Sequence, residues 1–275
     1  MRKLLLLGFL LCPLVIVACD PPLDIITHHG GGGEGDGGAG QGVASSNHPK
    51  GSKGDGGSED AGRTEEHSGD TPPPPPGGHK IDGVNDFSPG ETFSTSSSAG
   101  SDPPYQGYFA WDDQRLYLGM SGADIASNSQ QRWVMVYLGI PDRPGTRTGI
   151  NYGGHQQPQL PFEANYHLRW KTSNDYSSVE VYENGAWHSG NAGVFPLTVQ
   201  QRDKFVEMSI PRDPLGAEDT IAVHMNMLFE GDGTNDWTWA GVPANSFQDG
   251  QNPRFSHFLE FDLTSTKAPN SFAPL

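Results

Sequence analysis

The sequence predicts an all-β protein: one antiparallel β-sandwich preceded by a disordered tether. Three observations point there. Residues 79–275 run in short stretches of alternating apolar and polar side chains, with no sustained helical period. Gly, Pro, Asn and Asp separate those stretches, as turn formers do. Upstream, Gly, Ser, Pro and acidic residues accumulate with almost no large apolar side chain, so little can be buried to offset the entropy of ordering.

Residues 1–18 read as a signal peptide. Arg2 and Lys3 precede an apolar run from Leu4 to Val17, too short to span a bilayer comfortably and followed by no stop-transfer pattern. The run closes on Ile16-Val17-Ala18-Cys19, which resembles the lipobox of bacterial lipoproteins. That resemblance implies that Cys19 becomes the first residue of the mature chain and carries acyl chains. Two or more such chains hold a protein stably on a membrane. Asp20 is similar to the inner-membrane retention signal of some enterobacterial lipoproteins. The expectation is a cell-envelope protein, lipid-anchored to a bacterial membrane and facing the periplasm or the cell surface. The two cysteines, Cys12 and Cys19, both fall here, so the mature protein has no disulfide framework, no cysteine-based zinc site and no thiol nucleophile.

Residues 19–78 form the tether. Gly30 to Gly42 is nearly polyglycine, and Pro72 to Pro76 is an unbroken proline run. About 60 residues of Gly-rich coil reach on the order of 40 Å, with the prolines as a stiffer final spacer. His28, His29, His48 and His67 would suit a metal-binding tail, but their irregular spacing favours plain linker. The chain carries 17 basic and 33 acidic residues, a formal net charge of −16. Such a balance serves solubility and attracts neither nucleic acid nor an anionic membrane surface.

The body, residues 79–275, is long enough for one sizeable core. Phe109 and Trp111 share one face of a strand, and Leu116, Leu118 and Met120 one face of the next, with Asp112-Asp113-Gln114 as a tight turn between them. Trp133–Leu138 is apolar on both faces, as a central strand covered on two sides would be. Tyr166, Leu168 and Trp170 alternate with His167, Arg169 and Lys171. Residues 179–183 meet Ala186-Trp187-His188 across Asn184-Gly185, the strongest short hairpin signal available. Val206, Met208 and Ile210 alternate up to Pro211. Ile221, Val223, Met225, Met227 and Phe229 make one long face, and Phe255, His257, Leu259, Phe261 and Leu263 the last. Roughly nine strands of this kind make a sandwich.

Three stretches carry a resemblance. Ile81-Asp82-Gly83 with Asp86-Phe87, the hairpin Tyr108-Phe109-Ala110-Trp111-Asp112-Asp113-Gln114-Arg115-Leu116-Tyr117-Leu118, and Glu207-Met208-Ser209-Ile210-Pro211 followed by Leu215-Gly216 occur in this order. Together they resemble the carbohydrate-binding family 9-like (DOMON-like) domains over about 180 residues. The resemblance implies a jelly-roll-like sandwich, an extracytoplasmic location and, in many members, sugar binding. The chain departs from the family at Gln131-Arg132-Trp133, where the family opens a strand with an acidic residue.

Sugar recognition needs an aromatic face for the C–H side of a pyranose and planar hydrogen-bonding groups for its hydroxyls. Trp237 and Trp239 lie two residues apart in the loop-like 231–247 region, with Asn235 and Asp236 beside them, and are the first candidates. The hairpin sets Tyr182 directly across from Trp187, as a ligand platform or a packed pair at the sheet edge. His167, Arg169 and Lys171 form a cationic row that could meet saccharide hydroxyls or carboxylates, or simply a solvated face. His224 and Asn226 could line the same surface. Glu230, Asp232 and Asp236 crowd oxygen ligands suited to Ca²⁺, although without the EF-hand spacing, and a polar turn accounts for them better. His257, on an apolar face, reads as a buried hydrogen-bonded histidine.

No G-x-S-x-G, H-E-x-x-H or Walker A pattern is present, and nothing singles out a carboxylate pair, so the body reads as non-catalytic. The leading function is a glycan-binding module on a lipid-anchored tether. A structural or protein-interaction envelope lipoprotein without a small ligand is the alternative. A haem module of the DOMON type, drawing on Met120, Met225 or His224, ranks third.

Overall fold

The computed structural model describes residues 78–154, 156–231, 235–251 and 253–275. The signal peptide, Cys19, the tether and Asp232 lie outside the described residues. In chain order the first strands are β1 (Thr92–Ser94), β2 (Gln106–Trp111), β3 (Arg115–Ser121), β4 (Arg132–Gly139), β5 (Thr146–Thr148), β6 (Gln159–Ala164) and β7 (Tyr166–Lys171). They are followed by β8 (Ser177–Glu183), β9 (Ala186–Ser189), β10 (Thr198–Arg202), β11 (Phe205–Pro211), β12 (Thr220–Phe229), β13 (Trp237–Val242) and β14 (Leu259–Asp262). A single helical turn, α1 (Arg212–Leu215), ends on Gly216, whose φ of 67° suits a residue without a Cβ.

Two antiparallel sheets stack on one core. The smaller has the order β1-β2-β3-β11-β10. The larger has the order β13-β12-β4-β7-β8-β9, with β14 also pairing β12. Each alternating run turns its apolar set inward. Phe109, Leu116, Leu118, Met120, Val206, Met208 and Ile210 come from one sheet. Val134, Val136, Leu138, Tyr166, Leu168, Trp170, Val223, Met225 and Met227 come from the other, and all are buried in one cluster. Phe261 stacks on Phe109 at 4.3 Å across the layers.

The strand β4 is central and covered on both faces, as its unbroken apolar run requires. The cover on its outer side comes from sequence-distant segments. Leu160 and Phe162 of β6, together with Phe255, pack on Tyr137; Ile150 and Tyr152 pack on Trp133, Met135 and Leu228. The outer face of the larger sheet is thus roofed at its centre rather than open to solvent.

Several details differ from the sequence reading. Fourteen strands are found among the described residues rather than about nine: β6 and β13 are added, as are β1, β5 and β10, which are short and partly exposed, without an apolar stripe. The 231–247 region holds a strand, β13, where a loop was expected. The final strand begins only at Leu259: Phe255 joins the roof, and His257 is exposed, its Nδ1 paired with Ser256 Oγ at 2.8 Å.

Candidate functional site

The tryptophan pair does not form a stacking platform. As extended residues two apart, Trp237 and Trp239 do point the same way, but that side of β13 is the interior of the sandwich. Trp239 is 3% exposed in the core, edge-on to Tyr105 at 6.5 Å. Trp237, opposite Phe229 at the strand end, stays 44% exposed as a lone aromatic at the rim. Asn235 is exposed beside it, while Asp236 is buried and accepts the Gly231 amide at 2.6 Å. Glu230 accepts the Trp133 indole N–H at 3.0 Å. These two oxygen ligands are therefore turned to internal bonds, and no cluster of three metal-ligating side chains exists among the described residues.

The cationic row is not a solvated face either. In register across four strands, Glu180, His167, Tyr137 and His224 form one lateral row beneath the roof. His167 is fully buried, stacked on Tyr137 at 4.3 Å with Nδ1 3.0 Å from the Val136 carbonyl. Burial, helped by the neighbouring Arg169 charge, pushes its pKa down to about 3, so the ring is neutral. His224 is likewise buried, stacked on Phe255 at 3.9 Å, and burial alone brings its pKa to about 3. It faces the opposite side of β12 from Met225, so the haem ligand set considered above is split across the sheet.

Arg169 is committed internally. Its guanidinium bonds Glu180 at 2.7 Å, Ser178 at 2.7 Å, Tyr176 at 3.0 Å and Tyr152 at 3.2 Å. Lys171 sits over the Trp133 ring at 4.9 Å. Next to this cluster, a space of only about 10 Å³ lies between Tyr137, Gln156, Asn226 and Thr238. Gln156 Oε1 and Asn226 Oδ1 are buried without a protein partner. That is room for a water molecule and none for a sugar ring.

An open concavity lies elsewhere. Tyr182 and Trp187 meet as expected, edge to face at 5.4 Å. Trp187 turns to the roof and donates to the Thr148 carbonyl at 3.2 Å. Tyr182 instead lines a cleft of about 370 Å³ with Val181, Glu183, Asn184, Asn165, Arg143 and Pro144. Three separate turns build it: 140–145 after β4, Asn165 between β6 and β7, and the β8–β9 hairpin. Asn165 is the buried brace, holding the Ile140 backbone through both amide atoms at 3.0 and 2.9 Å. Asn184 and Gly185, at φ 53° and 84°, set the tight turn that carries Glu183 and Asn184 to the rim. The cleft thus offers one half-buried ring beside exposed guanidinium, carboxylate and amide groups.

The chain is similar to a solved structure. That solved structure is a family 9 carbohydrate-binding module from Caldicellulosiruptor kristjanssonii in complex with glucose. It is 18% identical, with a TM-score of 0.38, over 72% of this chain and 90% of that one. No protein family and no curated protein is matched by the sequence.

The three motif stretches prove to be joints of the sandwich. The Glu207 carboxylate accepts the backbone N–H of Asp82 at 2.6 Å and of Gly83 at 2.5 Å, fastening the first stretch to the third. Asp112 closes its hairpin by accepting the Gln114 and Arg115 amides at 2.8 and 2.7 Å and the Tyr117 hydroxyl at 2.7 Å. Of the sequence candidates, then, Tyr182 alone lines the cleft. Arg143, Glu183 and Asn184 were missed. Their residue types read as ordinary turn composition, and only the folded chain brings them to Tyr182.

Proposed function

We propose that this protein is a membrane-anchored envelope lipoprotein whose β-sandwich binds a saccharide without catalysis. The binding half of this reading is carried by the cleft at Tyr182, whose volume falls in the range of small-ligand sites. A tyrosine ring can take the C–H face of a pyranose while Arg143, Asn184 and Glu183 take its hydroxyls. The anchoring half rests on the lipobox-like Ile16-Val17-Ala18-Cys19 and the long polar tether after it. Polysaccharide is the partner this predicts, with the lipid as the hold on the membrane.

A glycan array probed with the full mature chain tests the binding half. Tyr182→Ala is expected to weaken binding at least about tenfold, with an unchanged circular dichroism spectrum. Glycan binding that survives the substitution would move the site away from this cleft. Absence of binding to any glycan would favour the alternative, a protein-interaction module, for which the exposed Trp237 at the sandwich rim is the natural contact.

A further inference from the structure

The cleft contains a guanidinium held in place and left without an acidic partner. Arg143 lies over the Tyr166 ring, its Cζ 5.5 Å from the centroid. Gly216 lies close to it, and a Cβ added there would stand 3.3 Å from Nε. Three other arginines of the body are held by partners: Arg132 by Asp124, Arg169 by Glu180, and Arg212 by the carbonyls of Asp112, Ala217 and Glu218. Arg143 makes no hydrogen bond or ion pair among the described residues, in a chain with nearly twice as many acids as bases. A stacked guanidinium loses less freedom on binding than a free one, and its donor fork matches a carboxylate in a bidentate way.

We propose that Arg143 makes this cleft selective for a glycan bearing a single carboxylate, such as one uronic acid at a chain end or branch. The inference rests on the saccharide reading above and names its ligand class. One acidic group is favoured over many for an electrostatic reason. Glu183 lines the same cleft and Asp142 precedes Arg143 in the chain, so a second carboxylate would meet like charge. Screening beyond about 8 Å at physiological ionic strength leaves the contact with Arg143 as the dominant local interaction for a single carboxylate.

The test uses the full mature chain on an array of singly glucuronylated oligosaccharides of several backbones. The same oligosaccharides with the carboxyl reduced to an alcohol, and polygalacturonate, are printed beside them. The glucuronylated forms are expected to bind about tenfold tighter than their reduced counterparts, and polygalacturonate more weakly than either. Arg143→Gln, a change at an exposed side chain checked for an unaltered circular dichroism spectrum, should bring the paired forms within about twofold of each other. Raising salt to about 0.5 M should erode the preference in the parent protein. Equal binding of charged and reduced forms, or a preference that persists in Arg143→Gln, overturns the inference and leaves the saccharide reading standing. Failure to bind any glycan overturns both.

Discussion

At the residue scale, ionisable side chains near the start of the described residues form a tight cluster. His79 is clamped between two carboxylates, with Nδ1 2.7 Å from Asp86 and Nε2 3.3 Å from Glu91, and it stacks on Phe87 at 4.3 Å with Tyr117 edge-on at 5.3 Å. Burial opposes its protonation, but the bonds to Glu91 and Asp86 outweigh burial and raise its pKa above the ordinary 6.5. Glu91 is shifted the other way: burial would raise it, but His79 and the Ser88 amide hold it below 4.5. The signs then define a window. The His79 contribution to stability is complete below pH 6.5 and is lost as pH rises through the elevated folded value. The Glu91 contribution is complete above pH 4.5 and is lost as pH falls through its depressed value. Urea midpoints of the parent protein and His79→Gln should therefore differ most between these limits and draw closer as pH rises through the elevated folded value. A difference that stays constant from about pH 6 to about pH 8 would show that the histidine acts by packing alone.

At the element scale, the β8–β9 hairpin shows what local sequence can specify. Its pairing of Glu183 with Ala186 and Tyr182 with Trp187 follows the two-residue turn directly, because Asn184 and Gly185 select the turn and the turn selects the register. A Cβ at Gly185 would meet nothing within 4 Å, so Gly185→Ala isolates the backbone cost of φ 84°. That cost is expected to be about 1 kcal/mol in urea unfolding, with an unchanged denaturant slope. The same substitution should weaken saccharide binding, since the turn carries Glu183 and Asn184; a stable variant with full affinity would detach the turn from the site. The core stripes of β7, β11 and β12 were legible for the same reason as the hairpin, because strand periodicity is a local property. Which side of a strand meets the core, or whether a roof covers the other side, is decided by distant segments. Trp239 looked available until β13 paired with β12, and His167 looked solvated until Ile150, Tyr152, Leu160, Phe162 and Phe255 closed over that face. The cleft was illegible because Arg143 and Asn165 lie in two separate turns and Tyr182 near the end of β8, with no shared pattern.

At the scale of the whole molecule, the question is what would keep this protein at a membrane. No helix among the described residues is long and apolar enough to cross one. A net charge of −16 supplies no attraction to an anionic lipid surface. On the proposed reading the acyl chains on Cys19 are then the sole hold, and removing them should act as an all-or-none release rather than a weakening. Expressed in a bacterial host with its signal peptide, Cys19→Ser should move the protein from the membrane pellet to the soluble fraction and abolish incorporation of labelled palmitate. The circular dichroism spectrum and the affinity for any bound glycan should not change, because the substitution lies about 60 residues of Gly-rich chain before the sandwich. Retention of the variant in the pellet after a high-salt wash would mean that another segment grips the envelope, and the polar tether would then be a contact in its own right instead of a spacer.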